Sequence, residues 1–349
     1  MPTVAAEPLR AFAGAIIEAV GTPPELAQIV GDSLVDANLA GHDSHGVLRL
    51  VGYIRSVRSG DIRPPVAPVL AKRDRATACI DGGYGWGQPS MLLATETAID
   101  LAREFGAGVA VVRRCYHIGR VAPYVETIAR AGMIGLAMSN AGPAVAPYGG
   151  RARVLGTNPF AWAIPRGNGH PPLSFDIATA GIAEGKLLVA RSKGAEVAPG
   201  LIVDAAGEVS TDPEAFYAGG ALLPFGGHKG YGFNVLAQML GRGLAGMDTT
   251  GFDGPRGANG PVVIAIDVGP FAPLDHFAAE IETQCAQIAG SPPMIGFEKV
   301  HLPGDPELAI RAQRLATGIP IPDRTWADLA ALAAELGVSP LDVRVEASV

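Results

Sequence analysis

The sequence is poor in cysteine, and the few that it has are scattered. Cys79, Cys115 and Cys285 make an odd number, and none of them stands in CxxC spacing. A disulfide framework and a structural zinc site both need paired or clustered cysteines. We therefore expect neither of them, and we expect a protein that works in the reducing environment of the cytoplasm.

Basic runs and long apolar runs are also missing. The net charge is −7, so no positive field draws the chain to nucleic acid or to an anionic membrane surface. No apolar stretch is long enough to cross a bilayer. Glu7, Arg10 and Glu18 interrupt the first apolar stretch, which predicts a helix rather than a signal peptide. We expect a small-molecule partner, with no role for nucleic acid or membrane.

What the chain does have is apolar mass and many turns. Of its 349 residues, 48% are hydrophobic and only 17% are charged, which predicts a large buried core and excludes a disordered chain. Glycine (46) and proline (29) are both abundant, which indicates short elements joined by tight turns. The length is typical of two or three folding units.

Helical patterns occupy both ends of the chain, and strands and helices alternate between them. Three helices are predicted to end near residues 21, 40 and 58, and two more follow Gly304 and Pro322. We therefore expect an α+β (mixed α/β) fold. Short apolar runs predict strands at 77–81, 109–112, 133–138, 160–164, 173–176 and 262–267.

One glycine pattern matches a dinucleotide-binding fingerprint but lies in the wrong setting. Gly241, Gly243 and Gly246 fit the pattern GxGxxG, and Asp267 follows at about the expected spacing. The fingerprint needs a strand before its first glycine and a helix after its last. A helical pattern precedes Gly241 instead, so we interpret these glycines as the end of a helix.

The most suggestive stretch is a predicted helix that begins with an Asp or Ser cap at residues 43–44 and ends near residue 58. Steps of four residues place His45, Arg49 and Tyr53 on one face of this helix. An imidazole, a guanidinium and a phenol side by side can hold a small anion and move a proton. The alternative is an ordinary solvated helix face.

Two glycine-containing loops carry further candidate groups. His117 follows a predicted strand and precedes Gly119, which permits close approach of the backbone to a ligand. The alternative for His117 is a partly buried histidine bonded to a backbone carbonyl. His228 and Lys229 lie between a double glycine and a predicted helix start, where free amides and a positive dipole favour phosphate. The alternative there is a plain loop with a solvated lysine.

His42, Asp43 and His45 also raise the question of a metal. Metal-binding histidines on a helix usually stand four residues apart, which lets them converge on one ion. These residues stand closer together than that in the sequence. We therefore predict no metal and interpret Asp43 as a helix cap.

Six motifs occur in one order along nearly the whole chain. They are GHDSHG at 41–46, HIGR at 117–120, GTNPF at 156–160, DIAT at 176–179, HKGY at 228–231 and LPG at 302–304. Together they resemble the type 2 malate/L-lactate dehydrogenase family, and the first and the fifth motif look most like the hydroxycarboxylate dehydrogenase B branch of that family.

The resemblance implies a fold, a cofactor and a quaternary state. It implies a non-Rossmann NAD(P)-binding fold, with a mixed, largely antiparallel sheet and a helical domain built from both chain ends. Residues 1–75 together with 300–349 would form the helical domain, which clamps the substrate and dimerises. Residues 76–299 would form the cofactor-binding domain. The implied assembly is a homodimer that uses NAD or NADP.

The resemblance also implies roles for individual residues. Arg49 would hold the substrate carboxylate, and Ser44, His45 and Tyr53 would line the same pocket. Either histidine has been assigned as the proton donor in the family; we favour His117, because the dipole of a helix start disfavours a charged His45. The residues expected to bind the cofactor are His45, Gly119, Arg120, Val121, Ser174, Phe175, Asp176, Ile177, Ala178, His228, Lys229, Asn259, Gly304, Asp305 and Pro306.

We expect an oxidoreductase that transfers a hydride between NAD(P)H and a small 2-oxo acid, or its 2-hydroxy acid. A guanidinium binds a carboxylate through two parallel hydrogen bonds, and an imidazole exchanges a proton near neutral pH. The rival enzyme is a reductase of cyclic imino acids, such as piperideine-2-carboxylate or pyrroline-2-carboxylate. The rival of another class is a non-catalytic protein that binds a metal or another ligand.

Overall fold

The computed structural model describes residues 1–245 and 258–341. Its helices are α1 (Ala6–Glu18), α2 (Pro24–Leu39), α3 (Arg49–Arg58), α4 (Gly87–Phe105), α5 (Ala122–Arg130), α6 (Glu184–Ser192), α7 (Pro213–Tyr217), α8 (His228–Met239), α9 (Leu274–Ala289), α10 (Asp305–Thr317) and α11 (Asp323–Leu336). Its strands are β1 (Thr3–Val4), β2 (Val69–Asp74), β3 (Thr77–Asp81), β4 (Ala107–Arg113), β5 (Met133–Met138), β6 (Phe160–Ile164), β7 (Leu173–Ile177), β8 (Ile202–Val203), β9 (Val209–Ser210), β10 (Ala221–Leu222), β11 (Val262–Asp267) and β12 (Ile319–Pro320).

The largest sheet has seven strands in the order β2-β3-β4-β11-β5-β6-β7. Strands β3 and β4 pair in parallel, and the other neighbours pair antiparallel. The expected mixed sheet is therefore confirmed. Because β3 and β4 run the same way, the loops that follow Asp81 and Arg113 leave the sheet at the same edge. The second of these loops carries His117.

Helices cover both faces of this sheet. Val263 and Ala265 of β11 join a core with α4 and α5 on one face. Val262 and Ile264, their neighbours on the same strand, join a second core with Ala237 of α8 on the other face. This alternation is the period of two that a strand imposes on its side chains. The sheet is thus the middle layer of three.

The two chain ends share a separate core. Strand β1 pairs antiparallel with β12, which joins the first residues to the segment before α11. Side chains from α1, α2, α3 and α11 pack together in this core. Its members include Leu9, Leu34, Ile54 and Leu329, which are fully buried. None of the described helices is both long and apolar enough to cross a membrane.

The prediction of individual elements succeeded where the apolar pattern was strong. The strands at 133–138, 160–164 and 262–267 are confirmed to the residue. The sequence did not predict β2, because every residue of that strand is exposed and no alternation marks it. It also missed the small sheet of β10, β8 and β9, whose strands have two residues each.

The predicted helix with a cap at residues 43–44 is wrong in one respect. The chain forms a 3₁₀ turn at Asp43–His45 and passes through an extended Gly46, and α3 starts only at Arg49. Asp43 is not a cap: its carboxylate accepts hydrogen bonds from Asn38 and Arg314. The tertiary partner on α10, which the local pattern could not reveal, decides this turn.

The GxGxxG pattern has the predicted setting at its start. Helix α8 continues directly into a π-helical turn at Leu240–Leu244, so a helix and not a strand precedes Gly241. The third glycine, Gly246, lies outside the described residues. Helix α10 follows Gly304, as the sequence predicted. Asp305 is the first helical residue, and its carboxylate accepts the backbone N–H of Leu302.

Candidate active site

Two histidines from distant segments meet at the edge of the sheet. The rings of His45 and His117 stack with their centroids 5.7 Å apart and an interplanar angle of 24°. His45 belongs to the 3₁₀ turn before α3, and His117 to the loop after β4. Both side chains are half-buried, so the pair remains open to solvent on one side. The structure therefore brings together the two histidines that the sequence singled out.

Tyr53 connects to His117 through a hydrogen bond. Its Oη lies 2.7 Å from Nδ1 of His117, and the amide nitrogen of Gln88 donates to the same hydroxyl at 3.0 Å. The backbone N–H of Gly119 also points at this Nδ1, at 3.4 Å. In this arrangement Nδ1 of His117 is an acceptor, so a neutral ring carries its proton on Nε2.

Arg49 is held beside the histidine pair by its backbone partner. Its Nε donates to the carbonyl oxygen of Ser44 at 2.6 Å. Among the described residues, no protein group forms a hydrogen bond with either Nη atom, so the outer fork of the guanidinium remains available. Ser44 itself bonds to Nδ1 of His45 through its hydroxyl, at 3.0 Å. Ser44, His45, Arg49 and His117 thus form one polar cluster.

The surroundings of both histidines favour the neutral form of the imidazole. Burial is the main cause that lowers the pKa of His45, to about 3, and the charge of Arg49 adds to it. Burial also lowers the pKa of His117 well below its usual range, with Arg49 and His45 contributing. The helix dipole invoked from the sequence is not the cause for His45, because that residue lies outside α3.

The other members of the first motif anchor the site to α10. Nε2 of His42 lies 3.3 Å from the Glu307 carboxylate. Asp43 forms a bidentate pair with Arg314, at 2.6 and 3.0 Å. These contacts fix the turn that carries His45. In residues 1–245 and 258–341, no group of three or more potential ligands is arranged to hold a metal ion.

Two of the expected cofactor residues bond to each other inside the protein. Oδ2 of Asp176 accepts the backbone N–H groups of Val121 and Ala122, both at 2.8 Å, and so satisfies the first turn of α5. Arg120 is buried between Asp36 and Glu126, whose carboxylates lie 4.0 and 3.7 Å from its Nη atoms. Within the part of the chain that the structure describes, its Nε has no hydrogen-bond partner.

The expected stretch from Ser174 to Ala178 lies mostly in β7, and its side chains point alternately to the two faces of the sheet. Ser174 and Asp176 lie on one face of β7, and Ser174 donates to Glu126 on α5. Phe175 lies on the opposite face, where it is 38% exposed and contacts Trp162. Ile177 follows Phe175 by two residues and therefore shares its face. The side chains of these neighbours therefore face opposite sides of the sheet.

Gly304 lies directly against Ser174. Its φ is +96°, and a Cβ on it would come within 3.2 Å of Ser174 Oγ. Asp305 and the exposed Pro306 follow at the start of α10. The turn at 304–306 therefore lies beside the Arg120–Asp176 region, and the positive φ explains why glycine occupies position 304.

His228, Lys229 and Asn259 are the remaining expected residues. His228 begins α8, is exposed with Lys229, and has its ring 6.0 Å from that of Tyr148. Asn259 donates its backbone N–H to the carbonyl of Cys115 at 2.6 Å. Asn259 is thus placed near the His117 loop. The described hydrogen bonds and ring contacts of His228 and Lys229 do not reach the histidine pair.

Sequence reasoning missed Gln88. This residue is 1% exposed, lies in the first turn of α4 and donates to Tyr53. A faint signal was present, because an amide side chain directly follows the glycine-rich turn at 82–87. Only the folded chain shows that this turn lies against the His117 loop: a Cβ on Gly87 would come within 2.3 Å of the His117 carbonyl oxygen.

Comparison with known proteins gives the class. Residues 4–330 match the family model described as malate/L-lactate dehydrogenase. A malate dehydrogenase of Pyrococcus abyssi is 35% identical over 96% of this chain and 95% of its own. A Delta(1)-pyrroline-2-carboxylate/Delta(1)-piperideine-2-carboxylate reductase of Pseudomonas syringae pv. tomato is 36% identical over 86% and 88%. The structure of sulfolactate dehydrogenase from Methanocaldococcus jannaschii superposes with a TM-score of 0.90, at 34% identity over 98% and 99%.

The chain belongs to the malate/L-lactate dehydrogenase family. It is an oxidoreductase acting on small 2-hydroxy and 2-oxo acids, and enzymes of this family use a nicotinamide cofactor. The class expected from the six motifs is therefore confirmed.

Proposed function

We propose that this enzyme reduces a small 2-oxo acid at the stacked histidine pair, with Arg49 as the carboxylate-binding residue. The open Nη fork of Arg49 beside two neutral imidazoles is the observation that carries the proposal. A guanidinium with a free fork matches the two oxygens of a carboxylate. Neutral imidazoles add no competing positive charge, so the anion has one defined cationic partner.

His117 is the proton-transferring residue in this proposal. Its Nδ1 is occupied by Tyr53, so Nε2 is the ring nitrogen left for the substrate oxygen. His45, Ser44 and Tyr53 line the pocket around it. Binding of an anionic substrate neutralises the charge of Arg49, which raises the pKa of His117 toward a useful range. Substrate binding would then be coupled to proton uptake.

The cofactor, NAD or NADP, supplies the hydride that the keto carbon needs. The residues fit a dinucleotide that carries phosphate: Arg120 is a buried cation whose Nε has no partner, and Lys229 lies exposed at the start of α8. Asp176, Val121 and Ser174 act by shaping this region, since their polar atoms bond within the protein. Gly119, Asn259 and the turn at 304–306 complete the proposed cofactor surface, which is built without a Rossmann unit.

The enzyme would work as a cytoplasmic homodimer. Support comes from an apolar strip on α8 and the π-helical turn, where the side chains are about half exposed. Such a strip on a described surface is typical of an interface between subunits. The strip consists of Phe233, Leu236, Met239 and Leu244.

The helical unit of residues 1–75 and 300–349 and the sheet unit of 76–299 remain our proposed domains.

A substrate panel tests the proposal. Pyruvate, oxaloacetate, sulfopyruvate and piperideine-2-carboxylate are each offered with NADH and with NADPH, and oxidation of the nicotinamide is followed by its absorbance. We expect turnover of at least one 2-oxo acid. Turnover of the cyclic imine alone would establish the rival reductase, and cofactor binding with no turnover of any substrate would contradict both.

A further inference from the structure

A buried amide without a complete set of hydrogen bonds lies next to the proposed proton-transfer residue. Gln88 donates from Nε2 to Tyr53, but its Oε1 has no partner among the described residues and is shielded from solvent. A buried carbonyl oxygen without a hydrogen bond costs stability. Such a group needs an explanation, and the neighbouring chain of hydrogen bonds provides one.

We infer that Gln88 is a positioning residue for proton transfer, which acts on His117 through the hydroxyl of Tyr53. This inference rests on the proposed function, in which His117 exchanges its Nε2 proton with the substrate oxygen. The argument starts from the geometry Gln88–Tyr53–His117, with distances of 3.0 and 2.7 Å.

The direction of this chain decides where neutral His117 carries its proton. When Gln88 donates to Tyr53, the phenol donates to Nδ1, and the ring proton sits on Nε2. Rotating the amide by about 180° exchanges its oxygen and nitrogen. Tyr53 then donates to Oε1 of Gln88 and accepts from Nδ1–H of His117. An amide can serve both directions because it has a donor and an acceptor.

The reaction requires the second direction. In reduction, a charged His117 would carry protons on both nitrogens and would give its Nε2 proton to the substrate oxygen, while a bound nicotinamide would supply the hydride for the keto carbon. Neutral His117 is left with its proton on Nδ1. In oxidation the same Nδ1–H form accepts the hydroxyl proton at Nε2. Oε1 of Gln88, facing Tyr53, lets the phenol donate one hydrogen bond while it accepts the other from Nδ1–H of His117 in these states.

The surroundings of His117 offer no better acceptor in the described part of the chain. Burial lowers its pKa most, Arg49 and His45 add to this, and Tyr53 and the backbone N–H of Gly119 contact its Nδ1. Arg49 is a donor only, and His45 stacks on the ring rather than bonding to it. Gln88 is therefore the group through which the protonation of Nδ1 is adjusted.

Nitrogen NMR of histidine-labelled enzyme without substrate tests the inference. Gln88→Glu replaces the amide with a pure acceptor when ionised, so His117 should move to the Nδ1–H form. Gln88→Met keeps the volume but removes both functions, so His117 should stay in the Nε2–H form. Thr95→Val on the same helix, which removes a hydroxyl bonded only to the Met91 carbonyl, is the control. Identical His117 shifts in all variants would overturn the inference, whether or not any substrate is turned over.

Kinetics supply the second readout. Gln88→Met should lower kcat for reduction roughly 10-fold or more, since part of the acid/base contribution is lost, with KM little changed. Combining it with Tyr53→Phe should cost no more than Tyr53→Phe alone, because both break one chain. Gln88→Glu should move the upper limb of the pH profile to higher pH by about one unit. Additive losses in kcat with an unshifted pH profile would show a merely structural role for Gln88. Absence of turnover in the wild type would count against the proposed function, and the NMR result would then decide this inference.

Discussion

His45 and His117 stack face to face, with their ring centroids 5.7 Å apart. Burial is the main cause that lowers the pKa of both imidazoles, and the charge of the neighbouring Arg49 guanidinium adds to it. The folded protein therefore favours the neutral form of both rings until an anion binds beside them. This relationship links stability and function. The cluster of Arg49 and the two histidines that can bind a carboxylate also makes protonation of the histidines in the folded protein unfavourable at low pH.

The first prediction concerns stability against pH. The folded pKa of His45 is lowered from 6.5 to about 3, and that of His117 is lowered in the same direction. Below pH 6.5 the unfolded chain binds protons that the folded chain does not bind, so the free energy of unfolding decreases as the pH is lowered. Each histidine contributes up to about 1.4 kcal/mol per pH unit in this window.

Urea unfolding at pH 7 and pH 5 measures this loss, and His45→Asn should reduce it by about half. The carboxylates are common to both proteins, so the comparison of His45→Asn with the wild type cancels their contribution. Glu282, whose pKa is lowered to about 2 by its bond with Arg166, contributes only below its usual value of 4.5. An unchanged pH dependence in His45→Asn would contradict the neutral pair.

The second prediction concerns the geometry of the carboxylate site. Arg49→Lys keeps a positive charge but loses the fork and the Nε bond to Ser44. We expect KM for a 2-oxo acid to rise roughly 10-fold, with a smaller loss in kcat. Arg49→Ala should raise KM further and lower turnover. Steady-state kinetics decide the matter, and wild-type constants in Arg49→Lys would show that only charge is needed.

The third prediction separates the two histidines. His117→Ala should lower the rate of reduction by about 10²–10⁴, the usual scale for a lost acid/base group. His45→Ala should cost less in rate, because the Nδ1 of His45 bonds to Ser44 and no relay supports its ring. Cofactor binding is measured in both variants by nicotinamide fluorescence. A larger loss in His45→Ala, with cofactor affinity intact in both, would reverse the roles.

The fourth prediction asks what Asp176 does. Its Oδ2 accepts two backbone N–H groups at the start of α5, so Asp176→Ala should lower the free energy of unfolding by about 1–2 kcal/mol. Asp176→Asn keeps one acceptor oxygen and should lose less. A direct cofactor ligand would behave differently: both substitutions would weaken cofactor binding strongly while stability stayed near wild type. Denaturant unfolding and cofactor titration of both variants distinguish the cases.

The sequence predicted the site better than it predicted the elements that build it. His45, Arg49 and Tyr53 were grouped by helical spacing, and they do belong with His117, although a 3₁₀ turn interrupts the helix. Arg49 stays beside His45 across this interruption because its Nε donates to the carbonyl oxygen of Ser44. The break itself depends on Arg314, which binds Asp43 from the far end of the chain.

Contacts between distant segments were beyond the reach of local patterns. Gln88 bonds to Tyr53 only because α4 starts against the His117 loop, and no periodicity encodes that. Ser174 and Asp176 were grouped with Phe175 by motif, whereas the pleat of β7 points them to opposite faces. A motif records which residues are close in sequence, but the strand decides which of them share a surface.

The preference for an acid over its amide tests the central claim most directly. Pyruvate and pyruvamide have the same keto group and nearly the same shape, but only pyruvate carries the carboxylate that Arg49 is proposed to bind. The ratio of their kcat/KM values is measured in the wild type and in Arg49→Ala. We predict a strong preference for pyruvate in the wild type that falls to nearly one in Arg49→Ala; a preference that survives the substitution would contradict the account.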